Sequence, residues 1–115
     1  MNSTSGPKHV IVIGAGVTGL TAAYRLLKIS ASPDYTGPDI DVTVLESSSI
    51  VGGKIRTSPF GGIAGIDEGP DAYLARVPQA VALARELHLG DDITHPTVGH
   101  AAVMHKKLHP IPEGL

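Results

Sequence analysis

One stretch governs what this chain can become: Val10-Ile11-Val12-Ile13-Gly14-Ala15-Gly16-Val17-Thr18-Gly19. A run of β-branched residues meets three glycines spaced G-x-G-x-x-G, and a helical pattern follows at once. Strand, glycine turn and helix in that order open a βαβ unit that brings its backbone against a dinucleotide pyrophosphate. Gly14 permits the tight turn, Gly16 has no Cβ to hold a phosphate away, and Gly19 lets the helix lie close to the sheet. The N–H groups of the first helical turn, at Val17, Thr18 and Gly19, lack intrahelical partners, and the helix dipole favours negative charge there. A bare glycine triplet also occurs in turns that bind nothing; here the flanking strand and helix supply the missing context.

The first strand is read as Lys8–Ile13. Its apolar residues run consecutively, which predicts burial on both faces, as in a parallel sheet. The helix covers about Val17 to Ile29, with Leu20, Ala23, Tyr24 and Leu27 at i, i+3, i+4 and i+7 forming one stripe toward the sheet. Ser30 to Asp39 contains Ser-Pro-Asp and Gly-Pro, which is loop chemistry and longer than a minimal connection, hence a surface insertion. Ile40–Leu45 is a second strand, parallel to the first and joined to it right-handed. Glu46 closes it. An acid at this strand end accepts hydrogen bonds from the adenosine ribose hydroxyls and repels a 2′-phosphate. It lies 27 residues past Gly19, beyond the usual interval of about 20, and the insertion accounts for the surplus. The bland alternative is a solvated acid at a strand end.

Gly52-Gly53 follows, then Lys54-Ile55-Arg56-Thr57. A glycine pair so soon after the ribose acid lies outside the simple nicotinamide pattern. It offers further bare backbone N–H groups and room for a longer ligand, shifting the weight from NAD to FAD. Arg56 is either a partner for a phosphate or flavin carbonyl, or a solvated cation. Phe60–Ile66 is too glycine-rich for an ordinary strand and reads as a bulge or a close backbone approach. Asp67-Glu68-Gly69-Pro70-Asp71 reads as a turn that matters only if it abuts the cofactor. Val77 to Leu89 is a second helix with Pro78 in its first turn and Gly90 ending it. Ala80, Leu83 and Leu87 form its apolar set, opposite Val81, Ala84 or Arg85, and His88. Asp91 to Gly99 is loop punctuated by Pro96, Ala101–Met104 a short strand, and His109–Gly114 an extended, turn-forming end.

Composition narrows the field further. At 115 residues the chain suits one small domain. Aromatics are 3% and the net charge is −2, which excludes base-stacking platforms and a basic face for nucleic acid. Without cysteine, disulfides and thiolate sites are excluded, in keeping with a cytoplasmic location. No apolar run reaches membrane-span length. His105 and His109 have metal-like spacing, but Pro110 disfavours helix there and no carboxylate or thiol completes a zinc set; no metal site is expected. No nucleophile–base motif stands out, so the catalytic residues stay unassigned.

The Val10–Gly19 fingerprint, Val42-Thr43-Val44-Leu45-Glu46, Gly52-Gly53-Lys54-Ile55-Arg56-Thr57 and Asp67-Glu68-Gly69-Pro70-Asp71 together resemble one family. The chain looks like the N-terminal part of a bacterial protoporphyrinogen/coproporphyrinogen oxidase, a flavoprotein of haem biosynthesis related to amine oxidases and phytoene desaturases. The match continues through Ala84–Asp91 and Leu108–Gly114. The first two motifs occur across the superfamily, whereas Glu68-Gly69-Pro70-Asp71 and Pro110-Ile111-Pro112-Glu113-Gly114 point to the porphyrinogen branch.

The resemblance implies a Rossmann-like α/β FAD-binding unit belonging to a larger two-domain flavoprotein. Residues 1–7 would be a flexible tail, and residues 8–115 an incomplete N-terminal part of the FAD/NAD(P)-binding domain. Gly14, Gly16, Val17, Thr18 and Gly19 would hold the FAD pyrophosphate, and Glu46 with Ser47 the adenosine ribose. Gly53, Lys54 and Arg56 would line the path toward the flavin, and Gly69 would approach the cofactor. The implied substrate is protoporphyrinogen IX or coproporphyrinogen III, with molecular oxygen reoxidising the flavin and peripheral membrane contact compatible. Competing readings are an amine-oxidase- or phytoene-desaturase-like flavoenzyme and a non-catalytic dinucleotide-binding remnant. Two departures from the family pattern are His88, where a glycine is expected, and Met104-His105-Lys106-Lys107, where a small basic turn is common. As an N-terminal fragment, the chain alone is expected to turn over weakly or not at all and to be marginally stable.

Overall fold

The computed structural model describes residues 6–95 and 102–110, which fall into two compact units dividing after Tyr73. Expectations for Met1–Ser5, for Pro96 to Ala101 and for Ile111–Gly114 lie outside the described residues.

In the first unit, β1 (Lys8–Ile13) leads through the glycine turn into α1 (Val17–Ser30) and on to β2 (Ile40–Leu45). The two strands are parallel, paired from Lys8↔Ile40 to Ile13↔Leu45 without a slip. The ladder is extended at both ends, by Lys8 N–H to the Asp39 carbonyl at 2.7 Å and Gly14 N–H to the Leu45 carbonyl at 2.7 Å. This is the Rossmann-like βαβ opening, and both strand ranges agree with the sequence reading.

The expected stripe of α1 holds at Ala23 and at half-buried Tyr24 but not at its other two positions. Leu20 and Leu27 are exposed, whereas Gly19, Ala23, Leu26 and Ser30 are covered to varying degrees, Ala23 fully. The reason is Gly19. Its missing Cβ brings the helix onto the Gly14 carbonyl and the Val12 side chain, so the contact line runs through Gly19 and recurs each turn. Three turns later Ser30 Oγ accepts the Ile40 N–H at 3.2 Å, tying the helix end to the second strand.

Burial on both sheet faces is not found. Val10, Val12, Val42 and Val44 are half-buried on the helix side, while Ile11, Ile13 and Leu45 on the other face are exposed, Ile13 to 87%. One crossover helix covers one face only. The insertion after α1 is a loop as expected, closed by Tyr35 N–H to the Ser32 carbonyl at 3.0 Å and the Tyr35 hydroxyl to the Pro38 carbonyl at 2.9 Å.

The glycine-rich stretch is an antiparallel hairpin, a correction to the reading of Phe60–Ile66 as no ordinary strand. β3 (Thr57–Phe60) and β4 (Ile63–Asp67) are joined by Gly61 and Gly62, both at positive φ (60° and 84°). A two-residue Gly-Gly loop matches the twist of the flanking strands, a signal legible in the sequence. The expected bulge is present: between the Ser58↔Ile66 and Phe60↔Ile63 pairs, Ala64 and Gly65 on β4 stand opposite Pro59 alone, which has no N–H for the ladder.

In the second unit, α2 (Pro78–Glu86) is shorter than expected and Gly90 does not end it. His88 does, at φ 61°. Leu89 N–H reaches the Ala84 carbonyl at 2.8 Å and His88 N–H the Arg85 carbonyl at 3.1 Å, the double bond of a Schellman ending. Gly90 instead begins a 3₁₀ turn, Gly90–Asp92. Val81 and Ala84 share the half-buried side with Ala80 and Leu83, whereas Leu87 is exposed, so the expected division of faces does not hold. The position where the family pattern asks for glycine is thus the left-handed residue itself. His88→Gly is expected to stabilise this helix end by about 1 kcal/mol, read as a higher unfolding midpoint in thermal melts.

The unit closes with the antiparallel pair β5 (Ala102–His105) and β6 (Lys107–Pro110), turned at Lys106 with φ 60°. The end read as merely extended is therefore, up to Pro110, a strand.

Candidate functional site

The site is assembled where β1 gives way to α1. Gly14 adopts φ 96°, a conformation costly for any side chain. Gly19 is packed so closely that a Cβ would collide with the Gly14 carbonyl oxygen. Gly16 is different. It caps the helix at φ −77° and ψ 176°, ordinary extended backbone. A Cβ there would meet only Gly53 Cα, at 3.9 Å. The chain's own geometry therefore tolerates a side chain at Gly16 but not at Gly14 or Gly19. Val17 and Thr18 occupy the first turn of α1, where no acid sits and no side chain caps the helix.

Glu46 leaves the end of β2 and turns back to this loop. Its Oε2 accepts the Ala15 N–H at 2.8 Å, and Ala15 is only 2% exposed. Its Oε1 accepts the Ser48 N–H at 2.9 Å, the Ser48 hydroxyl at 3.0 Å and the Ser47 hydroxyl at 3.3 Å. Donors from Ser48, Ala15 and Ser47 hold the carboxyl at a pKa of about 2, below its ordinary 4.5, against a smaller opposing effect of burial. A lowered folded-state pKa adds stability that is complete above the unfolded value and lost as the acid is protonated. That contribution should be intact above pH 4.5 and vanish as the pH falls to about 2, which a carbon-detected titration of the Glu46 carboxyl would follow.

The second glycine turn lies directly on the first. Gly52 N–H donates to the Ala15 carbonyl at 2.8 Å, and Gly16 and Gly52 form an isolated parallel bridge. Gly53, at φ 64°, packs so that a Cβ would come within 3.1 Å of Gly16 Cα. The contact relay continues. A Cβ at Gly69 would collide with the Lys54 carbonyl, and Glu68 N–H donates to the Arg56 carbonyl at 2.9 Å. The turn at Asp67–Asp71 therefore abuts the Gly52–Arg56 segment. Arg56 Nε donates to the Gly53 carbonyl at 3.2 Å, folding the cation over its own turn, and its side chain, like that of Lys54, is exposed.

Gly14, Gly16, Val17, Thr18, Gly19, Glu46 and Ser47 thus gather around the loop, and Gly53, Lys54, Arg56 and Gly69 extend from it. Sequence reasoning missed two participants. Ser48 was legible as a serine two residues past an acid, where local side-chain-to-backbone bonds form. Ala15, donor to Glu46 and acceptor for Gly52, carries no such signal. Among the described residues no group of three or more His, Asp or Glu could hold a metal ion, and no helix is long and apolar enough to cross a membrane.

Comparison with known families matches residues 17–115 to the flavin containing amine oxidoreductases. The chain belongs to that family. The FAD expected from the sequence agrees with a flavin-containing family. Among curated relatives, a coproporphyrinogen III oxidase of Staphylococcus aureus is 41% identical over 108 residues, covering 93% of this chain and 22% of the relative. Its Bacillus subtilis counterpart is 36% identical over 112 residues, covering 96% and 23%. A crystal structure from Exiguobacterium sp. 255-15, provisionally described as a protoporphyrinogen oxidase, superposes with a TM-score of 0.70 at 33% identity, covering 94% of this chain and 22% of that one. An L-amino-acid oxidase of Gloydius halys is 47% identical over 57 residues, half of this chain. The chain spans between a fifth and a quarter of the porphyrinogen-oxidising relatives' length.

Proposed function

We propose that this chain is the FAD-gripping N-terminal part of an oxygen-dependent porphyrinogen oxidase of haem biosynthesis, acting in the cytoplasm on protoporphyrinogen IX or coproporphyrinogen III. Residues 8–115 form the incomplete N-terminal part of the FAD-binding domain. The observation that carries the reading is Gly16. A glycine where the chain itself would accept a side chain, at a helix N-terminus with no side-chain cap, leaves room for something outside the chain. Anionic pyrophosphate matches that place in charge and approach.

Residue by residue, Gly14, Gly16, Val17, Thr18 and Gly19 hold the pyrophosphate, and Glu46 with Ser47 the adenosine ribose. Gly53, Lys54, Arg56 and Gly69 line the way to the flavin. Bound FAD supplies hydride-accepting chemistry toward the porphyrinogen. The part of these residues is to bind and orient it. Glu46, as a carboxylate, accepts hydrogen bonds from ribose hydroxyls and disfavours a 2′-phosphate.

The porphyrinogen relatives cover nearly the whole chain, the L-amino-acid oxidase half of it, which favours the porphyrin substrate over an amine. The test is to purify the protein at its natural length and follow flavin absorbance, porphyrin fluorescence and oxygen uptake. Stoichiometric flavin with porphyrin formation is expected; flavin with amine turnover alone would move the assignment to the second reading, and absence of flavin would end it. The 115-residue chain by itself is expected to give weak turnover or none in the same assay. Gly16→Ala should lower the thermal midpoint only slightly, by the small cost of alanine at a helix N-cap, yet weaken FAD by about tenfold or more, since its Cβ would meet nothing of the chain nearer than Gly53 Cα at 3.9 Å.

A further inference from the structure

Glu46 has two oxygens with different partners, and the difference singles out one neighbour. Oε2 faces Ala15 N–H across the glycine loop. Oε1 is gathered by the chain just after it, chiefly by Ser48, which offers both its N–H at 2.9 Å and its hydroxyl at 3.0 Å. The same hydroxyl lies 2.6 Å from the Ile50 carbonyl. One hydroxyl proton therefore serves two acceptors, the carboxylate and the backbone leading into the Gly52 turn. Ser48 is the residue through which the acid and the second glycine turn are tied together.

We propose that Ser48 is a positioning residue for Glu46, holding Oε1 so that Oε2 stays on the Ala15 amide and the carboxylate meets the adenosine ribose in a single orientation. This rests on the flavin reading above. The physical basis is preorganisation. A glutamate at a strand end has three rotatable bonds, and a carboxylate already held by donors loses less freedom when a ligand arrives. Hydrogen bonds from Ser48 to an ionised acceptor are of the stronger, charge-assisted kind. Ser47, at 3.3 Å and with one bond to Glu46, holds the same oxygen more weakly.

Two measurements on the protein at its natural length decide the matter. The first follows the Glu46 carboxyl by carbon-detected titration in wild type, Ser48→Ala and Ser48→Thr. In Ser48→Ala the midpoint should rise from about 2 part of the way toward 4.5, because the backbone N–H remains, and Ser48→Thr should restore it. The second measures FAD affinity by flavin fluorescence quenching. Ser48→Ala should lose about tenfold, the worth of one charge-assisted hydrogen bond, and Ser48→Thr should regain most of it.

An unmoved titration would show that the hydroxyl proton goes to Ile50 instead, and would overturn Ser48's hold on the acid. A moved titration with unchanged FAD affinity would overturn its positioning of the ribose site. A wild-type protein that takes up no FAD while the titration still moves would overturn the flavin reading and the ribose half of this proposal, leaving the hold on Glu46 established.

Discussion

Gly19→Ala is expected to unfold the site rather than trim it. The added Cβ would collide with the Gly14 carbonyl oxygen and crowd the Val12 side chain. Both obstacles belong to the adjoining strand and turn, and a backbone carbonyl cannot swing aside as a side chain tip can. Relief requires α1 to move off the sheet, parting Ala23, one of only two fully buried apolar residues among those described, from its cover. Overpacking of this kind costs about 3 kcal/mol or more. For a chain with so little buried surface, that is a large share of what holds it. The expected result is loss of a cooperative thermal transition together with loss of flavin. Gly65→Ala provides the contrast, since a Cβ there meets nothing within 4 Å, and it should melt as wild type. A folded, flavin-loaded Gly19→Ala protein would refute the close packing of helix on strand.

Glu46→Gln is expected to lose FAD roughly 100-fold while leaving the secondary structure in place. Every contact to this side chain comes from a donor: Ala15 N–H on one oxygen, and Ser48 N–H with two hydroxyls on the other. A carboxylate can accept them all. An amide cannot, because its NH₂ must face either Ala15 or Ser48, donor against donor, whichever way it flips. The buried Ala15 amide or the Ser48 node is then left unsatisfied, and ribose hydroxyls lose a charged acceptor. Acid should narrow the gap between variant and wild type, since protonated Glu46 faces the same conflict. The stability difference is predicted to be full above pH 4.5 and to close as the pH falls toward 2. An equal flavin affinity in Glu46→Gln and wild type would show that the carboxylate does not meet the ribose.

Much of the first unit could be read without coordinates. Both strands of the parallel pair, the start of α1 and the loop after it follow from β-branched runs, a glycine triplet and Pro/Gly punctuation. All of these act over a few residues and leave a local signature. The glycine expected near His88 also had a local cause, the left-handed residue that ends α2. What the chain alone did not reveal are approaches between backbones distant in sequence. Gly52 on Ala15, Gly53 on Gly16 and Gly69 on Lys54 have no period to announce them. The same holds for the helix face. Period alone placed Ala23 and Tyr24 correctly but carried the stripe on through Leu20 and Leu27, whereas the missing Cβ of Gly19 draws the contact line through Gly19, Leu26 and Ser30. Local sequence thus determined which elements form and what ligand chemistry the turn suits. The tertiary structure decided which glycines the fold itself requires, because only steric contact across the fold tells a glycine that must be small from one that merely is.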